Sequence, residues 1–136
     1  MKHTPRLIAA MLLVAGGVGC GDATSSAPPD QPGTAVVAMT SSFAADGAVL
    51  VTVRGPGLSV ATAADPAYAV FSRLVGRNEL NVIVVGGSVA PGALFTVAVG
   101  AANRPSAYSV QIEQVATQDD SLRSDLSQYR ASLTSH

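Results

Sequence analysis

One side chain has a position that makes its chemistry specific: Cys20, the only cysteine among 136 residues. Its thiol directly follows a short apolar run and small residues, at the end of a segment whose pattern suits a membrane. The other reactive types are sparse. His3 and His136 are the only histidines and sit at the two ends. A Ser-His-Asp triad would have to use the terminal His136, and a zinc site would lack both Cys and His ligands. No P-loop or dinucleotide fingerprint occurs beyond the first segment. Asp119 with Asp120, Asp125, or Glu79 with Glu113 across strands could offer oxygens to calcium, but their spacing matches no calcium loop. Helix capping and solvation are the expected roles for Asp119 and Asp120. The expectation is a protein that is not an enzyme, with no cofactor and no metal, whose one modifiable site is Cys20.

The elements around Cys20 define an export signal. Lys2 and Arg6 give a positive start, and Leu7 to Val18 form a twelve-residue apolar run. At about 1.5 Å per residue this makes roughly 18 Å of helix, too short for about 30 Å of hydrocarbon and suited to a removable signal. Gly16, Gly17 and Gly19 leave little bulk where a peptidase must approach. The segment resembles a bacterial lipoprotein signal peptide. That resemblance implies diacylglyceryl transfer to the Cys20 thiol, cleavage just before it and acylation of the new amino terminus. Val18 and Gly19 fit the family's motif, whereas Gly17 stands where Leu is usual, so secretion without lipid is the competing expectation. Gly21 is not the Asp that enterobacterial lipoproteins use for inner-membrane retention, which points to the outer membrane. The implied partners are the membrane, through the anchor, and a protein of the cell envelope.

Without residues 1–19, 117 residues remain, with six Arg, no Lys and nine Asp/Glu, a formal net charge of −3. No basic patch is available to neutralise phosphates, which argues against nucleic acid as a partner. One cysteine allows no internal disulfide, so an exported domain of this size must depend on its Val/Leu/Ile core. Residues 20–34 are small, polar and proline-rich, the composition of a flexible tether. The domain is expected over 35–136.

From residue 35 the chain reads as strand after strand. The expected segments are Ala35–Thr40, Ala48–Arg54, a short Leu58–Thr62, Tyr68–Val75, Glu79–Val85, Ala93–Val99, Ala107–Ala116 and Tyr129–Leu133. Val49, Val51 and Val53 share one face, as do Phe95, Val97 and Val99. The unbroken run Val82-Ile-Val-Val85 predicts a central strand. Asp119 to Leu126 is the one stretch with a helical pattern, Leu122 and Leu126 lying four apart. Gly/Pro turns and no α/β alternation predict an all-β antiparallel β-sandwich, with a small β-barrel second.

The strand at Tyr68–Arg73, Val82-Ile-Val-Val-Gly86, Gly92-Ala-Leu-Phe-Thr-Val-Ala-Val99 and Tyr108-Ser-Val-Gln-Ile-Glu-Gln-Val115 carry a wider likeness. They resemble small exported bacterial lipoproteins and, more distantly, cohesin-like and immunoglobulin-like sandwiches, over about residues 35–133. The resemblance implies the fold; no dockerin-contacting residue of cohesins can be matched. Asp125 and Tyr129 have the spacing of the immunoglobulin tyrosine corner, although Ser127 replaces the usual Ala and no Cys follows. That predicts a Tyr129 hydroxyl pinning the last strand. Tyr68, Phe71, Phe95 and Tyr108 would form a sugar-binding platform if exposed, and core if buried. Arg73, Arg77, Arg104 and Arg130 would form an anion patch if clustered. A glycan- or solute-binding module is therefore the alternative to a binding or structural envelope domain. An interaction module would show a contiguous apolar patch or an uncovered strand edge.

Overall fold

The computed structural model describes residues 26–136. The expected helical signal peptide and Cys20 lie outside the described residues. The chain forms eight strands: β1 (Gly33–Thr40), β2 (Asp46–Arg54), β3 (Ala61–Ala63), β4 (Ala69–Leu74), β5 (Glu79–Val89), β6 (Gly92–Val99), β7 (Ser109–Ala116) and β8 (Arg130–Ser135). They make two antiparallel sheets, ordered β3-β6-β1-β8 and β4-β5-β2-β7. This is the two-sheet sandwich that the alternation predicts. The inner faces supply the core: Ala35, Val37 and Met39 from β1, Val49, Val51 and Val53 from β2, Leu80, Val82 and Val84 from β5, and Leu94, Phe95, Val97 and Val99 from β6. Most of these side chains are β-branched or aromatic, which suits a pleated, close-packed surface.

Two bulges decide which residues reach that core. β6 shifts register against β1 between Val37 and Ala38, so Leu94 and Phe95 are both fully buried although adjacent. β7 shifts against β2 where Leu50 meets Gln114 and Val51 meets Ile112, which leaves Glu113 as the extra residue. Simple alternation from Tyr108 through Ile112 would put Val115 outward; the bulge turns it inward, where it is buried.

β1 begins at Gly33, inside the stretch that composition assigns to the tether. The residues just before it are tied to the loop after β6. Asn103 accepts from the Gln31 amide at 3.0 Å and donates to the Pro29 carbonyl at 3.1 Å, and Ala102 N–H donates to the Gln31 carbonyl at 2.7 Å. Arg104 pairs with Asp30. The chain therefore enters at one pole, beside the loops at 54–57, 75–79 and 100–108. At this pole Gly57, with φ of +66°, packs on Gly100; a Cβ there would stand 2.5 Å from the Gly100 Cα.

The helix expected over Asp119–Leu126 is absent; among the described residues the only helical element is a 3-10 turn at Pro105–Ala107. The segment instead makes a tight turn. Thr117 N–H donates to the Ser121 carbonyl at 2.8 Å, Asp120 takes φ of +62°, and Leu122 bridges back to Ala116. Asp and Ser compete for backbone bonds better than they propagate a short helix. Leu126 packs on the core while Leu122 is exposed, so the two do not share a face.

Candidate interaction surface

The outer face of β4-β5-β2-β7 is where the structure departs most from a satisfied surface. Its residues line up in cross-strand rows. Phe71, Ile83, Leu50 and Gln114 form the central row, and Ala69, Val85, Ala48 and Ala116 form the next. Leu122 stands beside Ala116 through its bridge. Phe71 is 64% exposed, Ile83 43% and Leu122 66%. A third row, Arg73, Asn81, Thr52 and Gln111, borders the patch with polar groups, and the Thr52 hydroxyl bonds Asn81 at 3.0 Å. Two shallow hollows flank the Leu50–Ile83 ridge. One, of about 260 Å³, runs past Phe71 and Arg73; the other, of about 140 Å³, runs past Ala48, Gln114 and Leu122.

The sequence signal for this face is the run Val82-Ile-Val-Val85. β5 is central in its sheet, as the run predicts, with Val82 and Val84 fully buried. Ile83 and Val85 point the other way, onto a face that nothing among the described residues covers. Strand spacing of about 4.8 Å and a two-residue repeat of about 6.8 Å give the two apolar rows an extent of roughly 200–300 Å². That is the size of an interface core, well short of the roughly 800 Å² per partner of a standard protein interface.

The aromatic side chains do not make a sugar platform. Phe95 is buried, and each tyrosine hydroxyl is committed. Tyr108 accepts from Ala101 N–H at 2.9 Å and donates to the Pro56 carbonyl at 2.7 Å, tying β7 to the pole where the chain enters. Tyr68 accepts from Ala90 N–H at 3.2 Å. Phe71 alone of the four is open.

Tyr129 does pin the start of β8, but through a side chain rather than through backbone. Its hydroxyl donates to Asp46 Oδ2 at 2.7 Å, while Arg123 Nε and Nη2 each lie 2.7 Å from Asp46 Oδ1. Asp46 is 1% exposed. The Arg123 guanidinium sits 3.7 Å over the Phe43 ring, which stacks on Tyr129 at 5.6 Å. Burial foremost, then the bond to Asp46 and its charge, push the Tyr129 phenol up to about 12, against smaller opposing effects of Ser41 and Arg123. This clasp holds the segment after β7 against the far pole. Asp46, Arg123 and Phe43 were not legible as partners, because 77 residues separate Asp46 from Arg123.

The remaining charged candidates are dispersed. Glu79 pairs with Arg54 at 2.9 Å, and Glu113 sits on the far side of β2, so the two are not brought together. Asp125 accepts from the Ser127 amide and hydroxyl at 2.8 and 2.9 Å, and these two bonds hold its carboxyl below the ordinary carboxylate value. Arg104 lies by the chain entry, whereas Arg130 bonds the Ser127 and Tyr129 carbonyls at the opposite pole. Arg73, Arg77, Arg104 and Arg130 thus form no single patch. Arg77 and Arg54 line an open cleft of about 480 Å³ with Asn78, Glu79 and Tyr108. Among the described residues no group of three His, Cys, Asp or Glu side chains is placed to hold a metal.

Fold and surface together define an all-β antiparallel sandwich consistent with the immunoglobulin/cohesin-like class, bearing an open apolar sheet face. Comparison with protein-family models, with curated proteins and with solved structures finds no match.

Proposed function

We propose that this chain is a bacterial cell-envelope lipoprotein whose sandwich binds a protein partner through the outer face of β4-β5-β2-β7. In this reading residues 1–19 direct export, Cys20 carries the lipid, and the chain from Cys20 to the docked residues at 29–32 is the tether. The observation that carries the binding role is the uncovered row Phe71–Ile83–Leu50, apolar at its centre and polar at its rim. A solute- or glycan-binding role is less well supported, because Phe71 is the only one of four candidate aromatics left open and the cleft beside Arg54 and Arg77 is wide open to solvent.

Two measurements test the reading. Cys20→Ala should abolish acyl labelling and release the protein from the membrane fraction; unchanged partitioning and migration would remove the anchor. Capture from solubilised native envelopes should recover a partner with the wild-type chain and lose it with Ile83→Glu. Equal recovery by both would remove the sheet face from the proposal.

A further inference from the structure

The four strand edges of the sandwich are not equivalent. β3 is three residues long. β7 is bulged at Glu113 and covered near its end, where Leu122 bridges Ala116 and Arg123 N–H donates to the Val115 carbonyl at 2.9 Å. β8 exposes Arg130, Ser132 and Thr134. β4 is different: six residues paired to β5 without a bulge, no proline, one charge, and Phe71, Leu74 and the following Val75 all exposed. Natural edges are normally blunted by shortness, bulges, prolines or repeated charge. β4 has none of these beyond Arg73.

The hydrogen-bond phase of this edge can be read from its hairpin. Val75 N–H donates to the Glu79 carbonyl at 2.8 Å, so Val75 and Glu79 form a hydrogen-bonded pair. Antiparallel alternation then makes Arg73, Phe71 and Ala69 the residues bonded to β5. The amides and carbonyls of Val70, Ser72 and Leu74 point away from β5, and none has a backbone partner among the described residues.

We propose that β4 pairs antiparallel with β4 of a second copy, centred on Ser72. In this register Ser72 faces Ser72 of the other copy, and Val70 faces its Leu74, so the open groups satisfy one another. Phe71 then faces the second copy's Arg73 in a non-hydrogen-bonded pair, where side chains come closest. A guanidinium meets an aromatic face twice by symmetry. The sequence around Ser72 is therefore self-complementary in hydrogen bonding, and it sets each guanidinium against an aromatic face. The pairing makes one eight-stranded sheet and joins the two apolar faces into a surface twice as wide. It depends on neither the anchor nor an external partner.

The test uses the full chain with Cys20→Ala and Ser72→Cys under mild oxidation, so that position 72 carries the only thiol. Facing residues of a hydrogen-bonded antiparallel pair lie about 5.5 Å apart at Cα, inside the range a disulfide bridges. A covalent dimer from Ser72→Cys, and none from Ser132→Cys on β8 or from the Cys20→Ala parent, is expected. Equal cross-linking of all three, or none from Ser72→Cys, overturns the pairing. So does a disulfide between position 72 and a different polypeptide, which would assign the edge to a heterologous strand. Sedimentation adds a second readout. Arg73→Glu removes both aromatic–guanidinium pairs at once, so dimer affinity should fall about tenfold. A wild-type chain that stays monomeric at every concentration overturns the proposal.

Discussion

Replacing Tyr129 with Phe deletes one oxygen and tests the clasp at the far pole. Asp46 Oδ2 loses its 2.7 Å donor in a site that is 1% exposed, while Arg123 still serves Oδ1. A hydrogen bond to a charged acceptor contributes about 1.5–3 kcal/mol, and an orphaned buried acceptor cannot recover it from water. At neutral pH the variant should therefore lose about 2 kcal/mol. For a domain of this size that lowers Tm by roughly 10 °C. The alkaline limb gives a second readout. The phenol is raised from 10.0 to about 12 in the folded protein, chiefly by burial and then by Asp46. A raised folded-state value contributes stability that is fully present below pH 10 and is lost as pH climbs through 12. The wild-type loss above pH 10 therefore reflects burial of the phenol first and its bond to Asp46 second. Urea midpoints at pH 7 and at steps from 9 to 11.5 should fall for wild type above pH 10, with a shallower fall for Tyr129→Phe. Parallel curves, or a neutral-pH difference under about 0.5 kcal/mol, would refute the clasp.

Other substitutions separate the two faces and the two poles. Ile83→Ser should change stability by less than about 1 kcal/mol, because its face is already wet, whereas Val84→Ser, one residue on, should cost about 3 kcal/mol or more in a urea melt. Gly57→Ala should destabilise by at least about 1–2 kcal/mol, since φ is +66° and the added Cβ meets the Gly100 backbone. Gly87→Ala, with nothing within 4 Å of its Cβ position, should be close to neutral. Tyr108→Phe should cost about 1–3 kcal/mol, because it leaves the Ala101 amide and the Pro56 carbonyl unpaired.

The sandwich is legible in the sequence because period-two burial writes itself into β2 and β6: Val49, Val51 and Val53, then Phe95, Val97 and Val99, all point inward. The central place of β5 is legible for the same reason. Its run Val82–Val85 carries a second message that pattern alone cannot separate from the first. A continuous apolar run fits a strand covered on both sides or a strand with one sticky open face, and only the tertiary arrangement, in which no layer among the described residues covers Ile83, decides between them. The bulges at Leu94 and Glu113 hide because one extra residue flips the face without changing composition. The helix expected over Asp119–Leu126 failed because the same Asp and Ser residues that suit a helix start also close turns. The clasp of Asp46, Arg123 and Tyr129 was invisible for a different reason: its members meet only through long-range topology. The Asp125–Tyr129 spacing points to the pinning role of Tyr129 but not to its acceptor, Asp46.

The proposed binding role of the open β4-β5-β2-β7 face is read out by placing a photo-reactive amino acid at Ile83 in the native cell and, as control, at the exposed Thr134 on the other sheet. Illumination should give a discrete cross-linked species from position 83 and none from position 134. Cross-links of equal yield at both positions, or none at 83, would rule this face out as the binding surface.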